Sequence, residues 1–221
     1  MKTLIVLPAY NEAEVLSETL EGLMSVAAGR VLVVDDGSGD GTAEIATNAG
    51  AIVVRHMINL GLGAALETGL EYARMGGYDR VVTFDADGQH TPADISRLLK
   101  ALDRGDIAIG VRQLHRERMP TVKKVGNFLL NLLTAAFFGV YSRDSQCGLR
   151  AFNRTALGTV RLRANGYEVS SEILYEAAKN GLRIVEVPIE AIYTEHSKKR
   201  GTGISDGFWI LWRMMLHRRV G

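Results

Sequence analysis

Short, wholly apolar runs alternate with longer amphipathic stretches through the first half of the chain. Residues 4–7 form one such run and residues 31–34 another, the second stopped by the turn-forming Asp35-Asp36-Gly37-Ser38. Between them Val15, Leu16, Leu20, Leu23 and Met24 recur at three- and four-residue spacing, which predicts a helix over residues 12–27. The same reading gives a helix over 42–48 with Thr42 as its cap, a strand over 52–55 and a helix over 63–74. A strand over 80–84 follows, then a helix from Pro92 to residue 102 and a strand over 107–111. The second half is less regular. It predicts a helix over 122–138, a polar turn at 142–145 and a short strand or loop over 148–152. A helix over 167–180 closed by Gly181 comes next. Residues 183–193 alternate as a strand in which Pro188 marks an edge or bulge, and 204–217 form a last amphipathic helix.

Buried, β-branched strands separated by amphipathic helices specify an α/β fold with a mostly parallel central sheet. With 221 residues and neither repeat nor linker, the chain is expected to form a single domain over 1–221. Ligands of such sheets gather beyond the carboxyl ends of the strands. Those ends carry Pro8-Ala9-Tyr10-Asn11-Glu12, Asp35-Asp36, Asp85-Ala86-Asp87 and Arg112, so three carboxylate-bearing clusters should converge on one site.

Composition narrows the function. Lys and Arg number 26 against 25 Asp and Glu, and this near balance argues against a nucleic-acid binder. Cys147 is the only cysteine, which excludes an internal disulfide and a cysteine-rich metal site and suits a reducing cytoplasm. Small buried packing is the expected role of its thiol. No secretory signal pattern is visible at the start. The longest apolar stretch, 125–141, is interrupted by Asn127 and Asn131 and falls short of the ~20 residues that span a bilayer. The segment from Lys198 onward is basic and carries Trp209 and Trp212. It reads either as a surface for an anionic membrane on the cytoplasmic side, making the protein peripheral, or as a solvated helix face.

Asp85-Ala86-Asp87 carries the sharpest chemistry. A turn at Gly88 lets both carboxylates face one ion, and hard oxygen ligands suit Mg²⁺ or Mn²⁺ shared with substrate phosphates. Gln89 and His90 add a ligand or an outer contact. Asp36 reads either as part of a polar turn or as a partner of a nucleotide base or ribose. Gly61-Leu62-Gly63 opens a helix where backbone amides, that of Gly63 among them, can meet a phosphate. No Lys-Ser or Lys-Thr follows, so it is not a Walker loop, and the first strand lacks the dinucleotide-binding glycines.

Together these residues resemble glycosyltransferase family 2, and within it the polyprenol-phosphate mannosyl- and glucosyltransferases. The resemblance rests on Pro8-Ala9-Tyr10-Asn11-Glu12, on residues 33–38 with Asp40-Gly41-Thr42, and on Asn59-Leu60-Gly61. It continues in residues 85–90, in Gln146-Cys147-Gly148-Leu149-Arg150-Ala151-Phe152 and in Glu172, and it covers nearly the whole chain. It implies a GT-A type, Rossmann-like sandwich whose residues 1–112 bind the nucleotide-sugar donor and whose residues 113–221 bind the acceptor. Pro8, Tyr10, Glu12 and Asp36, with Gly63, Asp85 and Ala86, would then hold the nucleotide. Asp85, Asp87 and Gln89 would hold the metal and diphosphate. Two departures stand out: Leu62 occupies a place where the family often has Lys, and many relatives continue into transmembrane helices where this sequence stops at Gly221.

The implied reaction is an inverting, metal-dependent hexosyl transfer from a donor of the GDP-mannose or UDP-glucose type to polyprenyl phosphate. A hydroxyl acceptor would need a general base, with Asp144 or Glu172 as candidates, whereas a phosphate is already ionised. It needs cations instead, and Arg112, Lys123, Lys124 and Arg150 are the candidates. His196, Lys198 and Arg200, in a glycine-flanked loop able to close over the donor, complete the acceptor set. The rival readings are a family-2 transferase with a glycan or other soluble acceptor, a sugar nucleotidyltransferase, and a nucleotide-sugar sensor without turnover.

Overall fold

A computed structural model describes residues 1–26, 29–112 and 142–190. The predicted helices over 122–138 and 204–217 lie outside that range. Strands β1 (Thr3–Ala9), β2 (Arg30–Asp35), β3 (Ile52–Arg55) and β4 (Arg80–Thr83) alternate with helices α1 (Ala13–Val26), α2 (Thr42–Asn48) and α3 (Leu62–Met75). Helix α4 (Asp94–Ala101) leads to β5 (Ile107–Arg112). The later described residues supply β6 (Arg150–Phe152), α5 (Arg154–Thr159), α6 (Val169–Lys179) and β7 (Ile184–Ile189).

Seven described strands form one sheet in the order β3-β2-β1-β4-β6-β5-β7. Every described pairing is parallel except those of β6, which runs antiparallel to both β4 and β5. Strands from late in the sequence therefore complete a sheet begun by the early ones. Pro188 sits on the outermost strand β7 and is exposed, as an edge proline should be.

Alternation along β1 shows how the layers form. Ile5, Leu7 and Ala9 face one core, shared with Leu16, Leu20 and Leu23 of α1, Ala46 of α2 and Leu98 of α4. Leu4 and Val6 face the other, shared with Leu66 and Leu70 of α3, Leu157 of α5 and Leu174 of α6. The sheet is thus covered on both faces, which is why its strands read as unbroken apolar runs. Emptying one such site, as in Leu20→Ala, costs about 2–5 kcal/mol.

Two local features differ from the sequence expectation. Thr42 is the first residue of α2 rather than its cap: Gly41 holds the cap position, and Asp40 Oδ1 accepts from the Thr42 amide at 3.0 Å. The Thr42 hydroxyl oxygen instead accepts from the Glu12 amide at 3.0 Å, joining two loops. Helix α5 was not foreseen. Its signal is Asn153, whose Oδ1 accepts from the Ala156 amide at 2.9 Å in an ordinary N-cap bond. Gly181 does close α6, with φ +65°.

Candidate active site

The loops beyond β1 and β2 are stitched into one body. Asn11 has φ +54°, the only positive value among described non-glycine residues. Its amide donates to Ser38 Oγ at 2.9 Å, and its Oδ1 accepts from the Gly39 amide at 2.9 Å. The Ala13 amide donates to Asp40 Oδ2 at 3.1 Å. Burial opposes ionisation of Asp40, but the Thr42 hydroxyl and the amides of Thr42 and Ala13 hold its carboxyl below the usual range. This frame presents Tyr10, 45% exposed, at the rim of the sheet beside Pro8 and Glu12. An exposed ring on a fixed loop suits stacking against a planar base.

Asp36 is buried and turned inward. Its Oδ1 lies 2.7 Å from His56 Nδ1 and accepts from the Leu60 amide at 2.9 Å, while Oδ2 accepts from the Gly61 amide at 2.8 Å. His56 Nε2 in turn lies 2.9 Å from Thr68 Oγ1 on α3. The carboxylate thus clamps the 56–61 loop onto the sheet in this structure. Gly63, expected at a phosphate, is engaged with backbone in this structure. Its amide donates to the Asn165 carbonyl at 2.8 Å, and a Cβ there would fall 1.8 Å from the Ala164 carbonyl oxygen. The start of α3 is therefore packed against residues 164–165, and glycine at 63 serves close backbone approach rather than an open anion site.

Beyond β4 the two carboxylates of Asp85-Ala86-Asp87 sit in different surroundings. Asp85 Oδ2 lies 3.1 Å from His90 Nε2, and the His90 ring packs edge-on to Phe84 at 5.8 Å. Burial alone would raise the Asp85 carboxyl, but the His90 hydrogen bond and the charges of His90, Arg150 and Arg112 outweigh it and hold the group below its ordinary value. Asp87 goes the other way, pushed up to about 6 by burial first and by the Asp85 charge second. Glu12 adds a smaller contribution of the same sign, so the β1 loop and Asp87 share one electrostatic field. The Gln89 amide donates to Asp87 Oδ1 at 3.0 Å and its side-chain nitrogen to Oδ2, so Gln89 holds Asp87 directly. Ala86 is buried between the two carboxylates.

Behind this pair lies a half-buried ion pair. Arg112, at the end of β5, donates from Nε and Nη2 to Asp144 at 2.7 and 2.8 Å, a forked contact that fixes both groups. Arg150 is 1% exposed and donates from Nη2 to the Ser145 carbonyl at 2.9 Å. Burial lowers its pKa. Expected at the acceptor, Arg150 stands in this structure as an internal cation whose charge acts on Asp85 and Asp144. Glu172 is likewise not placed as a base, because its carboxylate accepts from the amides of Arg163 and Ala164 at 2.9–3.0 Å. Cys147 is buried and its thiol is pushed up to about 12 by burial and the Asp144 charge, so it is inert packing.

Asp85, Asp87, Gln89, Arg112 and Asp144 thus converge at the carboxyl side of the sheet, with the 8–13 loop alongside. Lys123, Lys124, His196, Lys198 and Arg200 lie outside the described residues. Among the described residues, no helix is long and apolar enough to cross a membrane. Nor do three or more His, Cys, Asp or Glu side chains there form a metal-holding group, so any ion at Asp85 and Asp87 must take further oxygens from elsewhere.

A sequence model of Glycosyl transferase family 2 matches residues 4–161. A UDP-N-acetylglucosamine–dolichyl-phosphate N-acetylglucosaminyltransferase of Methanococcus voltae is 39% identical over 236 residues, covering 96% of this chain and 94% of the relative. An undecaprenyl-phosphate mannosyltransferase of Micrococcus luteus is 34% identical over 215 residues, covering 92% and 88% respectively. Among solved structures, glucosyl-3-phosphoglycerate synthase of Mycobacterium tuberculosis, in complex with Mn²⁺, UDP and glucosyl-3-phosphoglycerate, shares the fold. Its TM-score is 0.74 at 22% identity, over 97% of this chain and 77% of that one.

Proposed function

The chain belongs to glycosyl transferase family 2, and from that premise we propose that it moves a hexose from a nucleotide diphosphate donor to polyprenyl phosphate. Glycosyl transfer is its chemistry and GT-A its fold type. The observation that carries the finer reading is the Asp85–Asp87 pair. Two carboxylates stand at the carboxyl end of a mostly parallel sheet, and burial first and the Asp85 charge second push Asp87 up to about 6.

A divalent cation fits that pair. Hard carboxylate oxygens under mutual repulsion are relieved by a cation, and Mg²⁺ or Mn²⁺ characteristically takes one or two carboxylates and completes its shell with substrate phosphates. Asp85 and Asp87 would hold it, with Gln89 steadying Asp87. When bound, the ion supplies Lewis-acid stabilisation of the charge that builds on the departing diphosphate. Tyr10, with Pro8 and Glu12, is assigned to the nucleoside. Asp36 is assigned to the same end of the donor, through the loop it holds.

In the transfer, an acceptor phosphate oxygen bonds to the anomeric carbon as the bond to the donor's diphosphate oxygen breaks. A nucleoside diphosphate leaves and the configuration inverts. No proton has to be removed from an ionised phosphate. That agrees with two carboxylates already engaged, Asp144 with Arg112 and Glu172 with two backbone amides. Arg112, Lys123, Lys124, His196, Lys198 and Arg200 are assigned to acceptor and leaving phosphates. The work is placed at the cytoplasmic face of a membrane, where a polyprenyl phosphate resides.

The test incubates the protein with GDP-mannose, UDP-glucose or UDP-N-acetylglucosamine, polyprenyl phosphate and Mn²⁺. Lipid-linked sugar and nucleoside diphosphate are expected together. Asp85→Asn and Asp87→Asn should each slow transfer on the order of 10²-fold or more, the scale of losing a preorganised electrostatic group. Release of pyrophosphate would identify a nucleotidyltransferase instead. Transfer to water-soluble acceptors alone would reassign the acceptor, and full activity in excess chelator would remove the metal.

A further inference from the structure

Strand β4 ends at Thr83, and Asp85 stands two residues further along. Side chains two apart on an extended chain share a face. β6 runs antiparallel to β4, with Val81 opposite Phe152, Val82 opposite Ala151 and Thr83 opposite Arg150. Carried two residues past the strand, the same register sets Gly148 opposite Asp85. Opposed residues of antiparallel strands keep their Cβ atoms about 4.5–5.5 Å apart, so a side chain folded toward its partner occupies the partner's space.

That crowding is what the structure contains. A Cβ on Gly148 would lie 2.0 Å from Asp85 Oδ1, 2.2 Å from Oδ2 and 2.3 Å from Cγ, and these are its three nearest atoms. The Asp85 carboxylate rests against the backbone of residue 148. Gly148 has no left-handed φ, so space rather than backbone conformation selects glycine here. The residue is also unable to retreat. Thr83 Oγ1 donates to its carbonyl at 2.7 Å, and Cys147 and Leu149 on either side are buried. His90 Nε2 completes the seat at 3.1 Å from Asp85 Oδ2.

We propose that Gly148 is a positioning residue of the donor site: its missing side chain is the seat of the Asp85 carboxylate and fixes where that carboxylate meets the metal diphosphate. What Asp85 does there rests on the function proposed above, whereas how Asp85 is held rests on geometry alone. A methyl group at 148 must drive the carboxylate off its seat by on the order of 1 Å, the difference between 2.0 Å and an ordinary contact. A misplacement of about 1 Å in a catalytic constellation can slow a reaction on the order of 10²-fold.

The experiment compares the full chain, Gly148→Ala, Asp85→Ala and the double variant, by thermal denaturation and by Mn²⁺ titration followed with electron paramagnetic resonance. Gly148→Ala is expected to lower the Tm and to weaken Mn²⁺ binding about tenfold or more, the scale seen when an outer-shell support is lost. In the Asp85→Ala background the same glycine substitution should leave the Tm unchanged, because the atoms it would strike are gone. That non-additivity is the signature of a shared site. Equal Tm losses in both backgrounds would overturn the proposal. If Gly148→Ala cannot be recovered folded, a folded double variant upholds the seat and an unfolded one overturns it. A coupled Tm effect with unaltered Mn²⁺ affinity would leave the seat standing and remove Asp85 from the metal, so the two readings fail separately.

Discussion

Lowering the pH from 8 to 5 titrates Asp87, whose carboxyl lies at about 6 because burial and the Asp85 charge disfavour its ionised form. A divalent ion binds the carboxylate and competes with the proton. At pH 5 roughly one molecule in ten carries Asp87 ionised, so apparent Mn²⁺ affinity should fall about tenfold relative to pH 8, or ~1.4 kcal/mol. The sign for folding is set by the same shift. A carboxyl raised from 3.8 to about 6 binds its proton more tightly folded than unfolded, so its contribution to stability declines as pH rises through that window. The ceiling is ~3 kcal/mol, roughly two pKa units, and water reaching the site reduces it. Asp40, Asp85 and Asp106 are shifted the other way, and their contributions are lost as pH falls. The overall pH curve therefore mixes both signs, and only the difference between the parent chain and Asp87→Asn isolates Asp87. The assay is Mn²⁺ titration at pH 5, 6 and 8 with both chains, beside metal-free melting curves. Asp87→Asn should lose the pH dependence of any residual Mn²⁺ binding, and its metal-free Tm relative to the parent should improve from pH 4 to pH 8. An affinity constant from pH 5 to 8, or a tenfold pH effect that survives in Asp87→Asn, refutes the reasoning.

Three further outcomes follow from the placements of single residues. Gly63→Ala should destabilise by about 1–3 kcal/mol in a melting experiment, since its Cβ would overlap the Ala164 carbonyl; an unchanged Tm with a raised donor KM would return Gly63 to phosphate binding. Asp36→Asn should cost about 1–3 kcal/mol and speed hydrogen exchange across residues 56–61, because it weakens the bonds to His56, Leu60 and Gly61; loss of nucleotide affinity with exchange unaltered would make Asp36 a direct ligand. Trp209→Ala with Trp212→Ala should release the protein from anionic liposomes, which added salt should also weaken, without lowering its Tm; a sharp fall in Tm with no liposome binding from the start would make that segment core.

The sheet was legible because doubly covered parallel strands leave a plain trace: residues 4–7 and 31–34 are apolar without interruption and end in residues that turn. The carboxylate pair was legible for a related reason, since strand ends are where such sheets place their ligands. Interactions that depend on distant partners left no such trace. Gly63 at the start of a helix looks the same whether its amide awaits a phosphate or meets backbone. Asn165, about a hundred positions away, decided between the two. Arg150 shows where a signal existed and was outweighed. Residues 150 and 152 share a face of β6, and Phe152 belongs to the core, so alternation alone sends the guanidinium inward. The need of a phosphate acceptor for cations made Arg150 a candidate, and the strand's period turned it inward. The same period, carried past the end of β4, puts Asp85 over Gly148. A glycine that reads as a loop residue thereby becomes the floor of the site, and a buried arginine that reads as a ligand joins His90, the larger influence, in holding Asp85 ionised above that floor.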